Sequence, residues 1–170
     1  MSCYASVTLA AKRWHEDFRP NQLTARPTRH LVVLACMDAR LDLFRLLGLD
    51  IGDAHILRNA GGRATDDAVR SVVLSASALD TREVVVIHHT GCGLHARTNP
   101  ELREAVRACS GHDPQDIDFL PFDDVAASVH EDVARLRACA YLPPEMVIWG
   151  AVYDVSTGEL SVVDPPTVEG

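Results

Sequence analysis

The chain lacks several features that would each have pointed to a class of protein. No apolar run approaches the roughly 20 residues a membrane-spanning helix requires. Positive charge is scarce: 16 Lys and Arg stand against 24 Asp and Glu, a formal net charge of −8, which argues against binding the phosphate backbone of nucleic acid. The five cysteines (Cys3, Cys36, Cys92, Cys109 and Cys139) are odd in number and lack the spacing of a disulfide framework. The first residues carry no long apolar signal region. These absences lead us to expect a cytoplasmic protein with no membrane or nucleic-acid partner, whose thiols stay reduced and available to metal. No internal repeat or low-complexity tract is present, and 170 residues at 47% hydrophobic content fit one domain with a sizeable core.

What is present is a series of short apolar runs separated by helical periodicities. Residues 5–18 place Val7, Ala10, Ala11, Trp14 and Phe18 at steps of three or four, an amphipathic helix. An extended arm with Pro20 and Pro27 follows, so residues 1–29 are expected to form a helix and arm that pack either on a partner subunit or on the chain's own sheet, with residues 30–170 as a single α/β domain. Strands are predicted at 30–35, 54–58, 83–88, 146–152 and 160–163, and helices at 41–47, from Thr65 onward, at 99–109 and at 123–140. Trp14 and Trp149 are read as core or interface residues. Continuous rather than alternating apolarity in the early strands indicates burial on both faces. The short connection around Ser156-Thr157-Gly158 requires an antiparallel pair. The expected fold is therefore a mostly parallel central sheet flanked by helices, with a C-terminal antiparallel edge strand.

Two reactive segments follow two of these strands: Cys36-Met37-Asp38-Ala39-Arg40, and His88-His89-Thr90-Gly91-Cys92-Gly93. Both would reach the carboxyl edge of one sheet, where open α/β folds hold ligands. Two thiols and an imidazole suit Zn²⁺, with one coordination position left for water or substrate, and Asp38 could supply a fourth ligand. Adjacent strand residues point to opposite faces, so spacing alone leaves His88 and His89 both available. Between the segments lies Asn59-Ala60-Gly61-Gly62. Its glycines, with Gly93, are either turn residues or backbone that approaches the ligand sulfurs or a substrate.

The pattern Cys-x-Asp-x-Arg followed by His-x-x-Cys, with Arg58-Asn59-Ala60-Gly61-Gly62 and Thr65-Asp66-Asp67 between, resembles the β-class carbonic anhydrases, in particular their short bacterial branch. The resemblance is strongest over residues 30–95. It implies one Zn²⁺ per subunit on Cys36, His89 and Cys92, an Asp38–Arg40 catalytic dyad, a substrate pocket beside Asn59, Gly61, Gly62 and Gly93, and a homodimer or tetramer. The implied reaction is reversible hydration of CO₂ to bicarbonate by zinc hydroxide. Two thiolates cancel the metal's charge and weaken its pull on water, so a neighbouring group must assist. Asp38 can orient the nucleophile while Arg40 holds that carboxylate, and Asp38 bound to the metal would switch the enzyme off. Activity is then expected to rise with pH as hydroxide displaces Asp38. The same ligands serve carbonyl sulfide hydrolases in this family, which is the rival reading. A non-catalytic zinc protein with Asp38 permanently on the metal is the third. Gly91 stands where related sequences often carry a polar residue. His95 is either a proton carrier or a loop histidine, and Cys3, Cys109 and Cys139 are assigned no metal.

Overall fold

The computed structural model describes residues 3–18 and 23–166. Of the expected arm, residues 19–22 lie outside the described residues. The elements run α1 (Cys3–Asp17), β1 (Leu31–Cys36), α2 (Leu43–Leu47), β2 (Ala54–Asn59), a 3₁₀ turn (Ala60–Gly62), α3 (Asp66–Leu79), β3 (Glu83–His89), α4 (Asn99–Ser110), α5 (Val125–Arg137), β4 (Val147–Tyr153) and β5 (Leu160–Asp164). The five strands form one sheet in the order β2-β1-β3-β4-β5, parallel except for the β4–β5 pair. Among the described residues no helix is long and apolar enough to cross a membrane.

Helix ends follow local chemistry. Asp42 accepts a bond from the Arg45 amide, so α2 starts later than the apolar pattern suggests, and Gly48 ends it in the left-handed conformation. Thr65 caps α3 by accepting from Ala68 N–H, with Asp66 and Asp67 in the first turn. Thr98 and Glu101 close a capping box at the start of α4.

The sheet divides the core in two. Val32, Leu34, Val84 and Val86 pack with Val72, Val129, Val133 and Leu136 of α3 and α5. On the other face Val33, Ala35, Val85 and Ile87 pack with Leu41, Leu43, Leu94 and Phe122. Trp149 is half-buried and donates from Nε1 to Glu83 at 2.7 Å. Trp14 is different: it is 62% exposed, and no residue of α1 is buried, so it does not belong to this subunit's core.

Close contact between α5 and β4 depends on Gly150. A Cβ there would collide with Val129 Cγ1 and stand 3.0 Å from Val133 Cγ2, both fixed on the helix. We expect Gly150→Ala to destabilise the fold by about 2–3 kcal/mol through overpacking, a fall in Tm of about 5–10 °C for a domain of this size. Unchanged thermal unfolding would show that α5 can move away from the sheet at no cost.

Candidate metal centre

β1 ends on Cys36 and β3 ends on His89, and the two strands are parallel neighbours in the middle of the sheet. From this pair the strand order runs outward in opposite directions, which leaves a crevice at their carboxyl ends. Alternation along β3 separates the two histidines. His88 follows Val84 and Val86 towards α5 and bonds Ser128 at 2.7 Å, whereas His89 follows Val85 and Ile87 into the crevice. Gly91, at φ +63°, then turns the chain so that Cys92 returns to the same place. The ligand atoms of Cys36, His89 and Cys92 all lie within 4.8 Å of one another, and all three residues are buried.

The donor set fits a tetrahedral thiophilic cation such as Zn²⁺. His89 Nδ1 donates to the Thr90 carbonyl at 2.9 Å, which fixes the tautomer and leaves the Nε2 lone pair for a ligand. That Nε2 is buried without a hydrogen-bond partner, an arrangement that costs free energy unless something fills the gap. The Cys92 side chain bonds to Cys36 and holds the Cys36 thiol down to about 4, against the effect of burial. The resulting thiolate, with burial added, pushes the Cys92 thiol far above its ordinary range. Burial alone would lower the proton affinity of His89, but the nearby Cys36 thiolate and the Thr90 carbonyl outweigh it, and the net shift is upward.

These directions set the pH dependence of metal uptake. A metal on both sulfurs must displace the Cys92 proton and, at lower pH, the His89 proton as well. Zinc affinity is therefore expected to rise about tenfold per pH unit from neutral upward and more steeply below. Competition with a chelator at three pH values checks this, and a flat profile would contradict it.

Asp38 and Arg40 form the second part of the site. Arg40 donates from Nε to Asp38 Oδ1 at 2.9 Å and from Nη2 to Oδ2 at 2.7 Å, and its backbone amide also donates to Oδ1 at 2.9 Å. This fork holds the Asp38 carboxyl well below the usual carboxylate range. Asp38 Oδ2 stands 3.8 Å from His89 Nε2, at the mouth of the Cys-His-Cys cluster. Arg40 Nη2 also donates to the Gly91 carbonyl at 2.9 Å, which ties the first reactive segment to the second.

The remaining candidates take different positions. Gly61 donates its amide to the Cys36 sulfur, and a Cβ on it would strike Leu94. Asn59 and Gly62 are engaged in the turn itself. Asn59 Nδ2 donates to the Arg63 carbonyl at 2.7 Å, and Gly62 at φ +73° lies so close to β1 that a Cβ would be 2.8 Å from Cys36 N. Gly93 is exposed, with open space where a side chain would stand. His95 is partly buried against Phe122 and donates from Nε2 to the Asp123 carbonyl at 3.0 Å, as a packed loop histidine does. Cys3, Cys109 and Cys139 are free thiols outside the cluster.

The sequence pattern included Arg58 but gave it no role; its Nε donates to the Cys36 carbonyl at 3.0 Å and its Nη2 donates to the Asp38 carbonyl at 2.6 Å. Its place before Asn59 on the strand beside β1 was the available signal, since the register sets Arg58 opposite Ala35.

A family model described as carbonic anhydrase matches residues 31–160. The chain is 37% identical over 141 residues to β-carbonic anhydrase 1 of Mycobacterium tuberculosis, covering 82% of this chain and 85% of that one. It is 32% identical over 169 residues to a carbon disulfide hydrolase of Acidithiobacillus thiooxidans, covering 88% and 83%. Among solved structures it resembles the carbonic anhydrase of Streptococcus mutans, with a TM-score of 0.90, 43% identity, and coverage of 96% of this chain and 99% of that one.

Proposed function

This chain belongs to the β-class carbonic anhydrase family, and from that membership we propose that it binds one Zn²⁺ per subunit on Cys36, His89 and Cys92 and interconverts CO₂ and bicarbonate beside Asp38 and Arg40. The observation that carries this is the buried His89 Nε2, left without a partner between two thiol sulfurs. Bound there, the metal supplies a Lewis acid that activates water.

The residues of the chain do the rest. Because Arg40 keeps Asp38 strongly acidic, that carboxylate is a poor base and serves as a fixed hydrogen-bond acceptor. It accepts the O–H of the attacking oxygen and turns a lone pair of that oxygen towards the carbon of CO₂. The fork fixes the carboxylate plane, and the Gly91 carbonyl fixes the fork. Addition of water to CO₂ yields bicarbonate and one proton, which passes to buffer. Both Asp38 oxygens are occupied by Arg40, which supports this dyad over a non-catalytic zinc protein closed by Asp38.

A second reading is hydrolysis of carbonyl sulfide to H₂S and CO₂, favoured by relatives named carbon disulfide hydrolase at 31–32% identity. The linear molecules present the same electrophilic carbon, so the metal ligands cannot separate them. One metal-quantified preparation assayed for acidification from CO₂ and for H₂S release from carbonyl sulfide decides between them. Fast hydration with slow H₂S release is expected, and the reverse would overturn the first reading.

We assign residues 1–29 to contact with a second copy of the chain. Support comes from α1, which exposes Tyr4, Val7, Leu9 and Trp14, more apolar area than an isolated helix normally leaves in water. Light scattering is expected to give twice the chain mass or a multiple of it, and a monomer at micromolar concentration would contradict the assignment.

A further inference from the structure

Behind the metal centre, on the α5 side of the sheet, lies a group of buried charges for which the reaction has no direct use. Arg63, 6% exposed, sets Nε 3.0 Å from Asp132 Oδ2 and donates from Nη2 to Glu131 at 2.9 Å, with its guanidinium 5.7 Å from the centre of the Phe122 ring. Asp132 is itself buried, and its Oδ2 also lies 3.2 Å from Nε2 of the fully buried His88. The same Nε2 faces the Gly62 carbonyl at 3.2 Å, while Nδ1 meets the Ser128 hydroxyl at 2.7 Å. Since Nε2 faces only acceptors, it carries a hydrogen whichever way the Ser128 hydroxyl turns. His88 is therefore a donor at the Gly62 carbonyl; the Ser128 hydroxyl holds its ring, and Asp132, whose Oδ2 is buried without a hydrogen-bond partner, sets its charge 3.2 Å away.

Burying two ionic groups, Arg63 and Asp132, is expensive, and an apolar cluster of the same volume would usually stabilise a fold at least as well. The position of this cluster suggests what it achieves. Gly62 is the residue whose Cα lies against the backbone of β1 and β3, with a virtual Cβ 2.8 Å from Cys36 N and 3.1 Å from the Ile87 carbonyl. The residue before it, Gly61, donates its amide to the Cys36 sulfur. Both glycines have positive φ, +77° and +73°, so the turn has little intrinsic preference to keep that amide pointed at the sulfur. Asn59 Nδ2 braces the turn from within at the Arg63 carbonyl, and the Gly62 carbonyl is held by a partner outside it.

We propose that His88, held by the Ser128 hydroxyl and faced by the buried Arg63–Asp132 pair, is a positioning residue for the metal centre: it holds the Gly62 carbonyl so that the Gly61 amide stays on the Cys36 sulfur. The adjacent histidines of β3 then divide the work, His89 facing the metal and His88 supporting the backbone that bonds a ligand sulfur from behind. Outer partners of this kind commonly change metal affinity about 10–100-fold when removed. The inference rests on the assignment of Cys36, His89 and Cys92 as metal ligands.

The test uses the full chain loaded with zinc or with Co²⁺, and compares His88→Met, which keeps length but removes the donor, with His88→Gln, whose amide can reach the same carbonyl. For His88→Met we expect zinc release to a chelator about tenfold faster than wild type, and a thiolate-to-cobalt absorption band moved to longer wavelength, because a sulfur that loses its N–H partner gives up electron density more readily. For His88→Gln both readouts are expected to return to wild type even where Tm does not. Arg63→Lys, which keeps the charge and loses the fork, is the second variant and is expected to shift both readouts in the same direction by a smaller amount. If His88→Met and Arg63→Lys lower Tm yet leave the release rate and the cobalt band at their wild-type values, the cluster is a packing device and the inference fails. A wild-type chain that takes up no cobalt would overturn the metal assignment, and the inference with it.

Discussion

Replacing Cys92 by serine is expected to cost about 10²-fold in zinc affinity and to remove nearly all CO₂ hydration. Zinc binding by thiolate and imidazole sets is worth roughly 10–16 kcal/mol, so one donor in four accounts for about 3 kcal/mol, and a serine hydroxyl that keeps its proton does not replace it. The variant also removes the side-chain sulfur that lowers the proton affinity of the Cys36 thiol. Cys92 sits at the crevice edge of the second apolar cluster, and the Val32–Leu34 and Val84–Val86 layer lies on the other face of the sheet. Far-UV circular dichroism should therefore remain that of the wild type. Metal content after dialysis is the measurement, and a Cys92→Ser chain that retained one zinc and full activity would remove Cys92 from the ligand set.

Asp38→Asn should have the opposite signature, with zinc content kept and turnover lost. The amide presents two N–H groups where the carboxylate presented only acceptors, so the attacking oxygen loses the partner that orients it. Arg40 in turn faces an uncharged group. Loss of one preorganised hydrogen bond at a reacting centre typically costs about 10²–10³-fold in kcat. Arg40→Lys is a milder form of the same defect, since a point charge can neither reproduce the two parallel bonds to Asp38 nor keep the bond to the Gly91 carbonyl. Stopped-flow hydration on zinc-matched samples checks both variants. An Asp38→Asn enzyme as fast as wild type would show that the carboxylate is a bystander.

The parts of this account that were legible in the sequence are those encoded locally. Apolar runs of five or six residues placed β1 and β3 to within a residue, since both are covered on each face and read as continuous hydrophobic stretches. The two reactive segments follow those runs directly, so strand order alone brought Cys36 to His89. The choice between His88 and His89 was not local. Period-two alternation guarantees opposite faces, but which face holds the metal depends on where α5 and the Cys92 turn pack. The supports of the site were hidden for the same reason. Arg63 and Asp132 are far apart in the chain, and the Arg40 bond to Gly91 joins a side chain to a carbonyl that leaves no trace in the amino-acid pattern. Thr98 and Glu101, by contrast, carry a capping signature readable without any structure. α1 is the converse case, a helix whose apolar stripe was plain although, among the described residues, none of its own is buried.

The most direct test of the central claim is a zinc titration of metal-free protein, with CO₂ hydration followed at each addition at mildly alkaline pH. Activity should rise in proportion to zinc up to one equivalent per chain and then stop. A chain that binds its zinc and stays inert, or one that hydrates CO₂ equally well with none, would contradict it.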